Sequence, residues 1–292
     1  MNVFPNEFRL NSGTVEKTAL LLIGQDMHIL NPVFHQALGE RNSRAVAAMA
    51  LRQAEAGAEA LDLNLGPLGK NSDLLAWVME TVLAAARLPL FVASQVVAQP
   101  ELLRQHGEKL TINAVTADPA TLTAVMVQAR DCGAGLTVLL TRPGLSVCSA
   151  DDRLLLAAEV IETAARVAFP VAQLYLDPIF RPGGLGMPDL ESVLDLVVHL
   201  PLLSREKVQS IVAVSGASAF LPAAQRSAYH QRLLPLLAEA GVNAVILNCN
   251  DRRLMDIALM TERTARAALW TKEVGALNLP NAKLTGINVD EV

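Results

Sequence analysis

The polar residues that interrupt the apolar runs of this 292-residue chain fall mainly at the ends of those runs. Gln25, Asp26 and His28 follow the first run, and Asp62 and Asn64 lie in the second. Ser94 and Gln95 end the third, Asn113 the fourth, and Thr141 and Arg142 the fifth. Asp177 ends the sixth and Ser215 the seventh, and Asn248, Asn250 and Asp251 close the eighth. The set is rich in amides, with carboxylates among them. An ionised carboxylate accepts hydrogen bonds from paired N–H groups, whereas an amide donates and accepts at once. Buried groups of this kind require partners, which fits a flat, neutral heterocycle with donors and acceptors along its edge. A metal hydrolase needs several His or carboxylate groups together, and His28 has no evident partner in the sequence, so no protein-bound metal is expected.

Each residue also has a plainer reading. Asn113 and the Asp177–Pro178 step could start turns through side-chain-to-backbone bonds, Asp62 could cap a loop, and His28 could be a loop histidine satisfied by backbone. Two further motifs carry less. The glycines of GPLGKNS at 66–72 have two residues between them, where a phosphate-binding loop needs four. Gly183 to Gly186 is not a dinucleotide spacing and is expected to be a mobile loop over the site. Cys249 is expected to be a small buried residue.

These residues need elements to position them. Apolar runs at Leu20–Gly24, Ala60–Asn64, Leu90–Ser94, Leu110–Asn113, Leu136–Thr141, Gln173–Asp177, Ser210–Ser215 and Asn243–Asn248 predict eight buried strands. Their starts are on average roughly 32 residues apart, the size of a βαβ unit. Helical patterns lie between them, at Arg44–Ala56, Leu75–Ala86, Pro100–His106, Ala120–Arg130, Asp152–Val167, Leu190–His199, Ala223–Ala240 and Arg252–Leu269. The joints AEAG at 54–57, DCG at 131–133 and AEAG at 238–241 place Gly just past a helix end, ahead of a strand. A doubly wound sheet uses the same units, but eight of each in under 300 residues is the count of a (β/α)8 TIM barrel. The expected organisation is α/β and single-domain, with an N-terminal extension at 1–18, the barrel at 19–270 and a C-terminal tail at 271–292. Barrel chemistry gathers at the carboxyl ends of the strands, where the polar set lies.

Composition narrows the function classes. With 24 basic and 29 acidic residues and no Lys/Arg block, the chain has no nucleic-acid footprint. Mean hydropathy is +0.34, yet no apolar stretch reaches the roughly 18 residues of a membrane span. Glu7, Arg9, Glu16 and Lys17 stand where a signal peptide would be apolar. The three cysteines, at 132, 148 and 249, form no disulfide framework, which suits a reducing cytoplasm.

The text QAEAGAEALDLNLGP at 53–67 resembles the signature of pterin-binding barrels, and most closely the methyltetrahydrofolate:corrinoid/iron-sulfur protein methyltransferases. The likeness continues in TINA at 111–114, QLYLDP at 173–178 and AVSGAS at 213–218, and it spans roughly 19–270. It implies a homodimeric (β/α)8 barrel that binds methyltetrahydrofolate in its mouth. The methyl group would pass to or from the cobalt of a corrinoid carried by a partner protein. Asn113 and Asp177 match pterin-binding residues, Asp62 and Asn64 match the strand-2 motif, and Ser215 falls in the strand-7 motif.

The departures bear on activity. Gly24-Gln25-Asp26-Met27-His28 replaces the family's Gly-Glu-Arg-Ile-Asn. The pterin-holding Asp of strand 3 aligns with Ala93, and the Asn of strand 7 that assists the pterin nitrogen aligns with Gly216. Gln25, His28 and Ser94 are the residues placed to compensate. Proton donation or hydrogen bonding to the leaving nitrogen must lower the barrier, and neither Ala93 nor Gly216 supplies it. Two alternatives stand beside methyl transfer: a dihydropteroate synthase-like enzyme and a non-catalytic pterin- or ligand-binding barrel. Against the synthase, the Asn-Val-Thr-Pro-Asp-Ser text after strand 1 is missing, and Arg252 and Arg253 are the basic residues near strand 8.

Overall fold

The computed structural model describes residues 20–145, 149–180, 188–219 and 221–259, with side chains of 188 and 189 excepted. Eight parallel strands close into a barrel in chain order: β1 (Leu21–His28), β2 (Ala60–Asn64), β3 (Leu90–Val92), β4 (Leu110–Thr116), β5 (Gly135–Leu139), β6 (Leu174–Asp177), β7 (Gln209–Ala213) and β8 (Ala244–Leu247). The pairing of β1 with β8 completes the ring. The fold is therefore the (β/α)8 barrel rather than the open sheet.

The helices are α1 (Pro32–Gly39), α2 (Ser43–Glu55), α3 (Ser72–Ala86), α4 (Pro100–His106), α5 (Pro119–Asp131), α6 (Ala150–Arg166), α7 (Pro188–His199), the single turn α8 (Val214–Ala217), α9 (Ala223–Ala240) and α10 (Arg252–Ala258). Their starts are written in local chemistry. Asn42, Asn71, Asp118 and Asp251 each accept a backbone N–H in the first turn, and Ser149 with Asp152 forms a reciprocal capping box. The α1 helix escapes the apolar pattern but carries its own signal, an Asn31 cap followed by Pro32 in the first turn.

Two apolar shells follow from the period-2 alternation of each strand. The outward residues meet the helices in one continuous core. The inward ones form a smaller cluster of Ile23, Ala60, Phe91, Tyr175, Ile211, Ala244 and Ile246. Phe91 and Tyr175 meet edge to face, with centroids 5.3 Å apart, and fill the middle of the barrel. This plug closes the barrel below its carboxyl end.

Expected strand bounds shift, and the fourth strand runs to Thr116, so Asn113 lies within it rather than at its end. The first strand runs to His28 rather than Gly24, with a register irregularity between Gly24 and Met27. The seventh ends at Ala213, so Ser215 lies not at a strand end but in the α8 turn. The short text AVSG does not separate strand from helical turn. The phosphate-loop look-alike is a 3-10 turn, Gly66–Lys70. The 1–18 and 271–292 segments, Cys148 and the loop of Gly183 to Gly186 lie outside the described residues, as does the predicted helix beyond Leu259. No helix among the described residues is long and apolar enough to cross a membrane.

Gly107 precedes β4, and a Cβ there would stand 2.0 Å from the carbonyl oxygen of Cys132, a backbone atom with nowhere to retreat. Gly39, near the end of α1, has nothing within 4 Å of its Cβ position. Gly107→Ala is expected to lower unfolding free energy by about 3 kcal/mol through overpacking. Gly39→Ala should be neutral or stabilising by a few tenths of a kcal/mol, roughly. Urea denaturation of the two variants beside wild type checks the contrast.

Candidate functional site

The inward positions continue upward from the plug into polar residues. Asp62 is two residues beyond Ala60 on β2, and Asp177 two beyond Tyr175 on β6, so each shares the inner face of its strand. Asn113 stands two beyond Thr111, which is level with Phe91. The strand order places β2 and β6 on opposite sides of the barrel, with β4 midway between them.

Asn113 donates its Nδ2–H to Asp62 Oδ1 at 2.9 Å. The two strands are not neighbours, because β3 lies between them. Its register puts Phe91 level with both Asp62 and Thr111, two residues before Asn113. Burial pushes the Asp62 carboxyl up to about 6, with the Asn113 bond opposing. Burial also raises Asp177 to about 6, against the N–H of Ile179 and the charge of Arg153. Asp177 Oδ1 accepts from Ile179 N–H at 2.8 Å, so one carboxylate oxygen is fixed by its own loop.

A second carboxylate cluster sits on the rim between β1 and β8. Asn250 donates to Asp26 Oδ2, and Asn31 donates to the Asp26 carbonyl at 2.9 Å. Gln53 of α2, fully buried, accepts the Asp26 N–H at 3.0 Å. It reaches that bond because position 24 has no side chain: a Cβ on Gly24 would stand 2.4 Å from Gln53 Oε1. Burial raises the Asp26 carboxyl, while Asn250 and the charge of Arg52 oppose.

The remaining sequence-selected residues have varied duties. Asn64 Oδ1 accepts from Gly66 N–H at 2.9 Å, which shapes the loop after β2. His28 Nδ1 accepts from Leu30 N–H at 3.1 Å, and burial lowers its pKa. Gln25 Oε1 is buried with no partner among the described residues, and Ser94 is half-buried in the turn after β3. Ser215 is exposed, and its carbonyl rather than its hydroxyl is used, accepting from Ser218. Gly216 leaves space beside Phe180, 3.9 Å from a Cβ placed on it. Cys249 is buried, which drives its thiol up to about 12 and leaves it unreactive. Arg142 pairs with Glu159. Among the described residues no group of three His, Cys, Asp or Glu is arranged for a metal ion.

Sequence reasoning passed over three participants: Gln53, Thr137 and Arg153. Thr137 faces inward, level with Tyr175, and its buried hydroxyl has no partner among the described residues. Arg153 is 1% exposed, on the same face of α6 as Leu156, Val160 and Ala164. A lone Arg in a helical apolar stripe was the available signal.

Both site carboxylates carry a pH signature. Asp62 and Asp177 are protonated more readily in the folded barrel than in the unfolded chain. Between the ordinary value of 3.8 and about 6 the native state binds the extra protons, so stability falls as pH rises through that window. Above it, both states are ionised and the full penalty of the buried charge remains. Asp62→Asn keeps the acceptor for Asn113 and removes the charge. The variant is expected to exceed wild type by up to about 3 kcal/mol at pH 7.5, from a two-unit shift, and to lose that advantage below pH 4. Denaturation curves across pH 3.5–8 measure it.

No family model matches the chain. Among solved structures it is similar to a dihydropteroate synthase from Xanthomonas albilineans in complex with 7,8-dihydropteroate, at 17% identity and a TM-score of 0.57 over 91% of this chain and 96% of that one. A dihydropteroate synthase from Coxiella burnetii in complex with pteroic acid gives 14% and 0.57 over 85% and 93%. The Stenotrophomonas maltophilia dihydropteroate synthase gives 12% and 0.54 over 90% and 94%. At these identities the likeness establishes architecture: the chain is a single (β/α)8 barrel of the form found in dihydropteroate synthases.

Proposed function

We propose that this protein is a pterin-binding enzyme of the dihydropteroate synthase kind, with its substrate seated on the inner rim of the barrel mouth. The observation that carries the reading is the Asp62–Asn113 pair facing Asp177 across the barrel, in a fold shared with proteins solved with 7,8-dihydropteroate and pteroic acid. A 2-amino-4-oxo pyrimidine edge presents adjacent N–H donors and a carbonyl acceptor. The free oxygen of Asp177 accepts the donors. Asn113, its amide oriented by Asp62, presents an acceptor oxygen and a second N–H. Condensation would form a C–N bond between an aminobenzoate and the pterin methylene carbon, while pyrophosphate leaves with the C–O electron pair.

A second reading is methyl transfer from methyltetrahydrofolate to the cobalt of a corrinoid protein, by a homodimer. The text ALDLNLGP at 60–67 favours it over a synthase. The same heterocycle edge would be held, with Gln25, His28 or Ser94 near the reacting nitrogen.

Isothermal titration with a pterin pyrophosphate and with methyltetrahydrofolate tests the shared core. Micromolar binding is expected, weakened at least tenfold, about 1.4 kcal/mol, by Asp177→Ala. Because an ionised carboxylate is the stronger acceptor and a protonated one spends an oxygen on its own O–H, affinity should rise with pH through about 6. No binding by wild type, or no loss in the variant, sinks the reading. Product formation from pterin pyrophosphate and aminobenzoate selects the synthase. Conversion of Co(I) to methyl-Co(III) corrinoid selects methyl transfer, and binding with neither reaction selects a non-catalytic barrel.

A further inference from the structure

The connection that leaves β6 opens in a conformation its own residue disfavours. Ile179 has φ of 56°, in the left-handed region that a β-branched residue rarely enters. Two bonds hold it there. Its N–H donates to Asp177 Oδ1, and its carbonyl accepts from Arg153 Nη2 at 3.1 Å.

Arg153 reaches this point from α6 and is among the largest fully buried side chains of the protein. Its Nε donates to the Pro178 carbonyl at 2.8 Å, and its Nη1 donates to Ser192 Oγ on α7. One rigid guanidinium fork thus grips both sides of the β6–α7 connection, a geometry that the point charge of Lys cannot reproduce. A buried charge is costly even when hydrogen-bonded, and an aliphatic residue would continue the apolar stripe of α6 at lower cost. The placement needs a reason beyond packing, and the group it leads to is Asp177.

We infer that Arg153 is a positioning residue for Asp177: it clamps Pro178 and Ile179 in the left-handed turn that ties one oxygen of Asp177 and leaves the other for a ligand. The ligand in this statement rests on the pterin reading; the hold on Asp177 does not. The influences on the Asp177 carboxyl are its burial, the Ile179 N–H and the charge of Arg153. Loss of Arg153 removes one of these outright and loosens another.

The test uses the full chain, wild type and Arg153→Met, with two readouts. Carboxyl carbon NMR follows Asp177 without ligand, and its titration midpoint should move upward in the variant. Titration calorimetry with the pterin that wild type binds should show affinity falling about tenfold, as for loss of a charged hydrogen bond. Glycine is at ease at positive φ, so adding Ile179→Gly makes the clamp dispensable and should restore most of the affinity. A hole left by a merely structural Arg would not be repaired by that change. An unmoved Asp177 midpoint, or no recovery on adding Ile179→Gly, overturns the inference. Should Arg153→Met fail to fold, Arg153→Lys with and without Ile179→Gly, which keeps the charge and removes the fork, gives the same affinity comparison. If wild type binds no pterin, the function reading fails while the NMR midpoint still decides the clamp.

Discussion

Carboxyl groups on the inner face of a closed parallel barrel are removed from water, and the arrangement of this site answers that constraint. Asp62 is given the amide of Asn113 from two strands away, and Asp177 is given the N–H of Ile179. Neither group is fully compensated, because burial still lifts both to about 6. The rest of the structure supports this imbalance. Closed strand pairing leaves no edge to fray, and the Phe91–Tyr175 plug excludes solvent from below.

Support for the site comes from outside the strands as much as from within. Gln53 reaches through the space over Gly24 to hold Asp26, and Arg153 reaches under β6 to hold the loop beside Asp177. Both are buried polar residues on helices, and both act on backbone. A barrel strand fixes the direction of a side chain only to within its alternation. Fixing the turn after the strand sets the last degrees of freedom, as a binding constellation requires.

The barrel was legible because each βα unit repeats the same demand: a short run buried on both faces, then a helix with one apolar stripe. Asp62, Asn113 and Asp177 were legible for a related reason, since a polar residue near the end of such a run either faces the mouth or is unsatisfied. What escaped depends on contacts between distant residues. Ser215 was misplaced because strand and helical turn look alike in the short text AVSG. The Asp62–Asn113 bond spans 51 positions and crosses an intervening strand. Arg153 is only an odd residue in the apolar stripe of α6 until its acceptors, 25, 26 and 39 residues on, are folded against it.

On the pterin reading, stability and selectivity are coupled through the same atoms. Two poorly solvated carboxyls are costly to the fold above pH 6, and a ligand that brings N–H donors would relieve that cost. Such a ligand stabilises the native state in proportion to its concentration over its dissociation constant. A heterocycle of the same shape without those donors would displace the remaining water from Asp177 and give nothing in return. Discrimination built on unpaired buried acceptors is far steeper than discrimination by fit alone, where a methylene is worth about 1–3 kcal/mol. On the pterin reading, a rim with no polar side chain at Ala93 and Gly216 would still be selective, because the penalty for a wrong ligand would be set by the carboxylates rather than by the number of contacts made.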